Sequence, residues 1–227
     1  MDFTVKVADD HHLHHAETIC RMMEAAARIR GTGIAKRSPE YIRQKMQDGQ
    51  AIIALDQARV IGFCYIESWE NKRYVANSGL IVHPDYRKTG LARAIKHAAF
   101  RLSRQKFPEA RVFGITTSLA VMKINSELGY KPVTFSELPQ DETFWKGCQT
   151  CVNYDVLQRT KRTMCLCTGM VAEPVTPNTT DKPQKNAWEN FQRFLRLRRL
   201  RIQRKLRQYP SLKKAFKNEK QKSNARL

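Results

Sequence analysis

No run of apolar residues in this 227-residue chain approaches the roughly 18–20 that a helix needs to span a bilayer, which excludes a helical integral membrane protein. The opening MDFTVKVADD has neither the basic stretch nor the apolar core of a secretory leader. There is no G-x-x-x-x-G-K-[ST] loop, so a nucleoside triphosphate is not the expected ligand. No internal repeat is present. Acids are scarce, with 21 Asp and Glu against 41 Lys and Arg. With 41% hydrophobic residues and a mean hydropathy of −0.57, a soluble, cytoplasmic chain is expected, its six cysteines kept reduced.

The excess of cations is uneven. Residues 182–227 carry about +14 of the net +20, leaving about +6 for everything before them. A strongly basic tail, rather than a basic domain, is therefore expected. Three segments follow: a domain over residues 1–170, a Pro/Thr/Asn-rich linker over 171–185, and a basic tail over 186–227 that is either helical or disordered.

Along the domain, FTVKVAD alternates as a strand does, and HHLHHAETICRMMEAAARIRG reads as a helix closed by Gly31. SPEYIRQKM is a short helix with Ser38 as N-cap and Pro39 at its first position. AIIALD, VIGFCYIESW and VANSGLIV are three strands joined by short turns, as in an antiparallel meander. A helix from about Gly90 to Lys106 stops before Pro108, VFGITT is a strand, and LAVMKINSEL is a helix ended by Gly129. PVTFSEL and CVNYDVL are read as late strands. The order β-α-α-β-β-β-α-β-α-β-β makes a mixed α/β domain.

The junction VHPDYRKTGLARAIKHAAF puts two cations and a glycine at the mouth of a helix. Unpaired N–H groups and the helix dipole favour a phosphate there. Gly90 lets the backbone approach a ligand, while Arg87 and Lys88 add charge. A solvated turn with two surface cations is the alternative for this motif alone.

In its strand order and in RKTGLA after GLIVHPDY, the chain resembles the GNAT superfamily of acyl-CoA-dependent N-acyltransferases over residues 1–157. Arg87, Gly90 and Ala92 fit that superfamily's R/Q-x-x-G-x-G/A signature, and LAVMKINSELGY is similar to its second cofactor-contacting helix. The resemblance implies a largely antiparallel central sheet flanked by helices. It implies that Arg87, Lys88, Thr89, Gly90, Leu91 and Ala92 hold the pyrophosphate of coenzyme A. Leu80, Ile81 and Val82 would line the pantetheine arm and offer an N–H to the thioester oxygen. The donor would be acetyl-CoA or succinyl-CoA, and the acceptor amine would attack it directly. Where many relatives place a tyrosine that protonates the leaving thiolate, this chain has Asn125. Asparagine can bond the pantetheine but cannot donate a proton in that way. Tyr130 and Tyr154 are the substitutes considered.

A protonated acceptor must lose a proton, and Glu67 is the candidate base. On strict alternation it shares a strand face with Phe63, Tyr65 and Trp69; a wet strand end is the alternative. Arg28, Arg30, Lys36 and Arg37 crowd the loop RIRGTGIAKRS, which borders the acceptor in this superfamily. Such a loop suits an acidic substrate, or it is simply a solvated basic loop. RGTGIAKRSPEYIRQKM, GFCYIESW and FWKGCQTCVNYDVL resemble a bacterial N-acetylglutamate synthase-like group associated with arginine synthesis. That resemblance implies L-glutamate as acceptor.

Cys148, Cys151, Cys165 and Cys167 form C-x-x-C and C-x-C pairs, either a structural zinc site or ordinary thiols. Cys20 and Cys64 sit in apolar patterns and belong to the core. HHLHH has helical metal-chelating spacing but straddles a helix start, where a solvated cluster is the better reading. The tail can bind nucleic acid, an anionic membrane or an acidic partner, which leaves open an acetyltransferase recruited to a macromolecule, or it is a nonspecific solvated tail.

Overall fold

The computed structural model describes residues 3–30, 36–174 and 187–208. The chain divides into two compact units after residue 184.

The first unit is built on seven strands: β1 (Thr4–Val7), β2 (Ala51–Asp56), β3 (Arg59–Trp69), β4 (Tyr74–Val82), β5 (Arg111–Thr116), β6 (Lys131–Val133) and β7 (Thr168–Ala172). They lie in one sheet in the order β1-β2-β3-β4-β5-β7-β6. Every pairing is antiparallel except β4 with β5. The meander expected of the three middle strands is present. It turns at Gln57 and at Glu70–Lys72, all at positive φ.

Strand β2 is buried on both faces, and its alternate residues serve two cores. Ala51 and Ile53 meet α1 (Ala16–Arg30) and α2 (Pro39–Gln47), while Ile52 and Ala54 meet α3 (Leu91–Lys106). A third core gathers Phe113, Phe135, Leu138, Trp145 and Leu157 at the far end of the sheet. Ser38 caps α2 by accepting the Tyr41 N–H. The expected first helix is divided, with a 3-10 turn at Asp10–His15, capped by Asp9, leading into α1. His12 is buried there because its Nδ1 accepts the Asp9 N–H, which absorbs one histidine of HHLHH into a cap. Gly31 lies outside the described residues.

The late elements differ from expectation. CVNYDVL is no strand: Tyr154–Arg159 form α6, because Tyr154 and Leu157, three residues apart, both pack into the third core. Before it come α4 (Leu119–Glu127) and the short α5 (Glu142–Lys146). PVTFSEL supplies only the three-residue β6 and then a 3-10 turn. The long late strand is β7, TGMVA, buried on both faces and so without the alternation that marks a strand in sequence. Its last two residues, Val171 and Ala172, fall beyond the expected domain end at 170. No described helix is long and apolar enough to cross a membrane.

In the second unit, α7 (Ala187–Gln208) is one basic helix of 22 residues.

Candidate active site

Two neighbouring strands part at the centre of the sheet. β4 pairs with β5 only from Tyr74–Ala76 to Arg111–Phe113, and from Asn77 onward they separate. Strand β5 instead continues its ladder with β7 on the other side. Beside the split, β4 carries a bulge: Phe63 pairs with Ile81 and Tyr65 with Ser78, so Gly79 and Leu80 together oppose Cys64. Gly79 has φ of +64°, and a Cβ there would meet a Tyr65 ring carbon at 2.5 Å and the Met23 methyl at 2.8 Å. Only glycine lets the strand bulge here. A cavity of about 540 Å³ opens at the split, walled by Asn77–Leu80, Gly114–Thr117 and Asn125.

At the end of β4 the chain turns through Pro84–Tyr86 into α3. Gly90 is the N-cap, at φ +89° and with nothing within 4 Å of a Cβ position. No side chain caps the helix, so its first N–H groups face outward. Thr89 Oγ1 donates to the Tyr86 carbonyl at 2.7 Å and holds the turn. Arg87, Lys88, Thr89 and Gly90 are exposed, whereas Leu91 is buried in the core and anchors the helix. The rest of the expected cradle divides. Leu80 lines the main cavity, the Ile81 side chain is buried in the first core, and Val82 and Arg87 border a second cavity of about 530 Å³ beside α1.

Asn125 is only 1% exposed, its Oδ1 has no partner among the described residues, and its amide nitrogen makes a 3.8 Å contact with Met170 Sδ. An orphaned acceptor facing a cavity fits an N–H from an entering ligand. Across the cavity, Lys96 of α3 is only 2% exposed and donates to Asn77 Oδ1 at 3.2 Å. Tyr130 donates to the same oxygen at 3.0 Å, and Asn77 Nδ2 donates to Ser103 at 2.8 Å. Burial pulls the Lys96 ammonium from its ordinary 10.5 down to about 8. The unfolded chain therefore binds a proton that the fold does not hold between about 8 and 10.5, and stability rises with pH across that window. Lys96→Met should be more stable than wild type at pH 7, with the gap closing toward pH 10; melting temperatures across that range check it.

On the opposite sheet face, Tyr65, Glu67 and Trp69 line the same cavity, as alternation predicts. Glu67 accepts the Tyr41 hydroxyl and lies 3.4 Å from Lys45 Nζ. Arg37 Nε donates to the Tyr65 hydroxyl at 3.0 Å, and its guanidinium stacks over Tyr41. Lys36 is exposed at the mouth, 3.5 Å from Glu24. The indole N–H of Trp69 is buried without a partner among the described residues. Arg30 ends α1, and its side chain lies outside the described residues. Tyr41, Lys45, Asn77 and Lys96 were not among the sequence candidates. For Lys96 there was a signal, since it falls with Ile95 and Ala99 on the apolar face of α3.

The four clustered cysteines also line this cavity. Burial and the neighbouring Cys165 and Cys151 raise the Cys148 thiol to about 11, and a hydrogen bond with Cys165 raises Cys167. The expected zinc site is not supported: among the described residues no three Cys, His, Asp or Glu side chains are arranged to hold a metal ion. Local bonds already engage the sulfurs, Cys151 Sγ accepting the Asn153 N–H and Cys167 pairing with Cys165.

Residues 19–120 match the Acetyltransferase (GNAT) family. A search of curated proteins found no match. Among solved structures, N-acetylglutamate synthase from Neisseria gonorrhoeae, complexed with coenzyme A and N-acetyl-glutamate, superposes with a TM-score of 0.56 at 16% identity; the match covers 78% of this chain and 36% of that one. This chain thus spans about a third of that enzyme. A Mycobacterium tuberculosis protein in complex with CoA gives 0.55 at 15% identity, over 76% and 99% of the two chains. The putative acetyltransferase yncA from Salmonella typhimurium, with acetyl-CoA, gives 0.55 at 13% identity, over 80% and 99%. At these identities the structural likeness speaks for the fold alone. Over residues 19–120, a little under half of its length, the chain is thus similar to the Acetyltransferase (GNAT) family.

Proposed function

We propose that the first unit moves an acetyl group from acetyl-CoA to the primary amine of a small acidic acceptor, with L-glutamate as the acceptor and arginine synthesis in the cytoplasm as the setting. One observation carries the donor side: β4 and β5 part beside a bulge, and the cavity there presents the unpartnered Asn125 Oδ1. The donor supplies a thioester whose carbonyl an amine can attack. Residues Arg87–Ala92 hold its pyrophosphate against the uncapped start of α3, while Leu80, the Val82 backbone and Asn125 guide its pantetheine arm. An N–H freed at the Gly79–Leu80 bulge polarises the carbonyl, an effect typically of about 3–4 kcal/mol in acyl transfer.

The acceptor approaches from the other face. Arg37, fixed by Tyr65 and Tyr41, and Lys36 at the mouth offer positive charge to carboxylates, and the unpaired Trp69 N–H adds a donor. The likeness to the Neisseria enzyme, which holds N-acetyl-glutamate, supports the same choice. Glu67 receives the proton that the amine must lose. Glu67→Gln should lower turnover about 10²- to 10⁴-fold with little change in coenzyme A affinity; steady-state rates beside calorimetry check it. A screen of amino acids with acetyl-CoA and succinyl-CoA, read as thiol release, tests acceptor and donor together. Glutamate with acetyl-CoA should lead. Equal turnover with neutral amino acids would remove the acidic acceptor.

A second reading rests on α7, where Arg193, Arg196, Arg199 and Arg201 are all exposed. Beyond the domain and its linker, this helix would then dock a polyanion such as nucleic acid and bring the acetyltransferase to a macromolecular substrate. Deleting residues 182–227 should abolish salt-sensitive polyanion binding. Unchanged binding by the truncated chain in a salt titration places that surface elsewhere.

A further inference from the structure

We propose that Lys96 is the proton donor to the sulfur that leaves the acyl donor. The proposal rests on the reading that an acyl-CoA occupies the cleft between β4 and β5.

The position comes first. Asn77 is the first β4 residue beyond the last β4–β5 pair, and Lys96 Nζ reaches its side-chain oxygen at 3.2 Å. Lys96 therefore stands at the apex of the split. An arm entering beside the start of α3 and lying along β4 from Val82 to Asn77 covers five residues, roughly 16 Å at about 3.3 Å each. That is comparable with an extended pantetheine arm, whose sulfur is its far end.

The bonding points the same way. An ammonium has three N–H donors. Among the described residues Asn77 Oδ1 is its one hydrogen-bond acceptor, shared with the Tyr130 hydroxyl, and the Tyr130 ring lies 5.2 Å away. Such a buried cation has donors to spare for a ligand. The groups facing it add no countercharge. Cys64 of β3 donates its thiol to the Ser78 carbonyl and is raised by burial to about 11, and burial raises the Tyr130 phenol as well. With its own value near 8, Lys96 matches an aliphatic thiol, ordinarily near 8.5.

Two of the alternatives fall short. Asn125 has no acidic proton, and Tyr130 does not line the cavity and already donates to Asn77. Tyr154 does line it, from the α6 side. The step balances. The acceptor nitrogen bonds to the carbonyl carbon and yields its proton to Glu67. The carbon–sulfur bond breaks with its electron pair on sulfur, and Lys96 gives that sulfur a proton. Neutral Lys96 regains a proton from the solvent and Glu67 returns one to it.

Coenzyme A itself is the probe, with no acceptor needed. The full chain saturated with it, binding being confirmed by calorimetry, is titrated with pH while thiolate absorbance is read. In wild type the bound thiol should ionise at least tenfold more readily than free coenzyme A. In Lys96→Met that gain should vanish, with affinity changed less than about threefold. Acetyl transfer to glutamate should fall about 100-fold in the same variant. If Lys96→Met does not fold by circular dichroism, Lys96→Gln replaces it, and the wild-type titration alone still decides. A bound thiol that titrates like free coenzyme A in wild type overturns the proposal. So does a gain that survives in Lys96→Met and is lost in Tyr154→Phe. Failure to bind coenzyme A at all is a different result and removes the underlying reading.

Discussion

Gly79→Ala is expected to cost about 2–5 kcal/mol of stability and to reduce acetyl transfer more than 100-fold. A left-handed backbone costs a residue with a Cβ about 1–2 kcal/mol. The added methyl would also sit 2.5 Å from the Tyr65 ring and 2.8 Å from Met23, and relieving such overpacking typically costs about 1–3 kcal/mol more. The functional loss has its own route. Tyr65 cannot shift without moving Arg37, from whose Nε it accepts, and the bulge loses the shape by which, on the proposed reading, it aims an N–H at the thioester carbonyl. Denaturant melts and steady-state rates separate the two effects. A variant as stable and active as wild type would show that the bulge plays no part in the chemistry.

The second large effect is Gly90→Val, which should weaken coenzyme A binding at least 30-fold while leaving the fold nearly intact. Nothing lies within 4 Å of a Cβ at this position, so crowding at the Cβ is absent. The harm is confined to the backbone, because φ of +89° is poorly tolerated by a β-branched residue. Relaxing it turns the first N–H groups of α3 away from a bound phosphate. Calorimetry of the folded variant against wild type reads this directly, and equal affinities would place the pyrophosphate elsewhere.

Much of this arrangement was visible in the residues, and the parts that were not share a physical cause. The helix start at Gly90 and the Ser38 cap are local events, written in a few neighbouring side chains. Glycine within NSGLIV was a local sign of a bulge as well. The cleft was not legible, because it depends on β7 pairing with β5 and drawing it away from β4, a contact across more than fifty residues. CVNYDVL misled because two apolar residues three apart suit a short helix as well as a ragged strand. Paired cysteines suggested a metal, but proximity in sequence does not aim four sulfurs at one point. The buried Lys96 was legible: a lysine on the apolar face of a helix asks for an explanation.

Hydrogen exchange of the full chain with and without coenzyme A tests the central claim most directly. One equivalent should bind and protect residues 78–82, 88–94 and 114–126, leaving 187–208 unchanged. No saturable binding at millimolar coenzyme A, or protection confined to α7, would contradict the assignment of the β4–β5 cleft as the acyl-donor site.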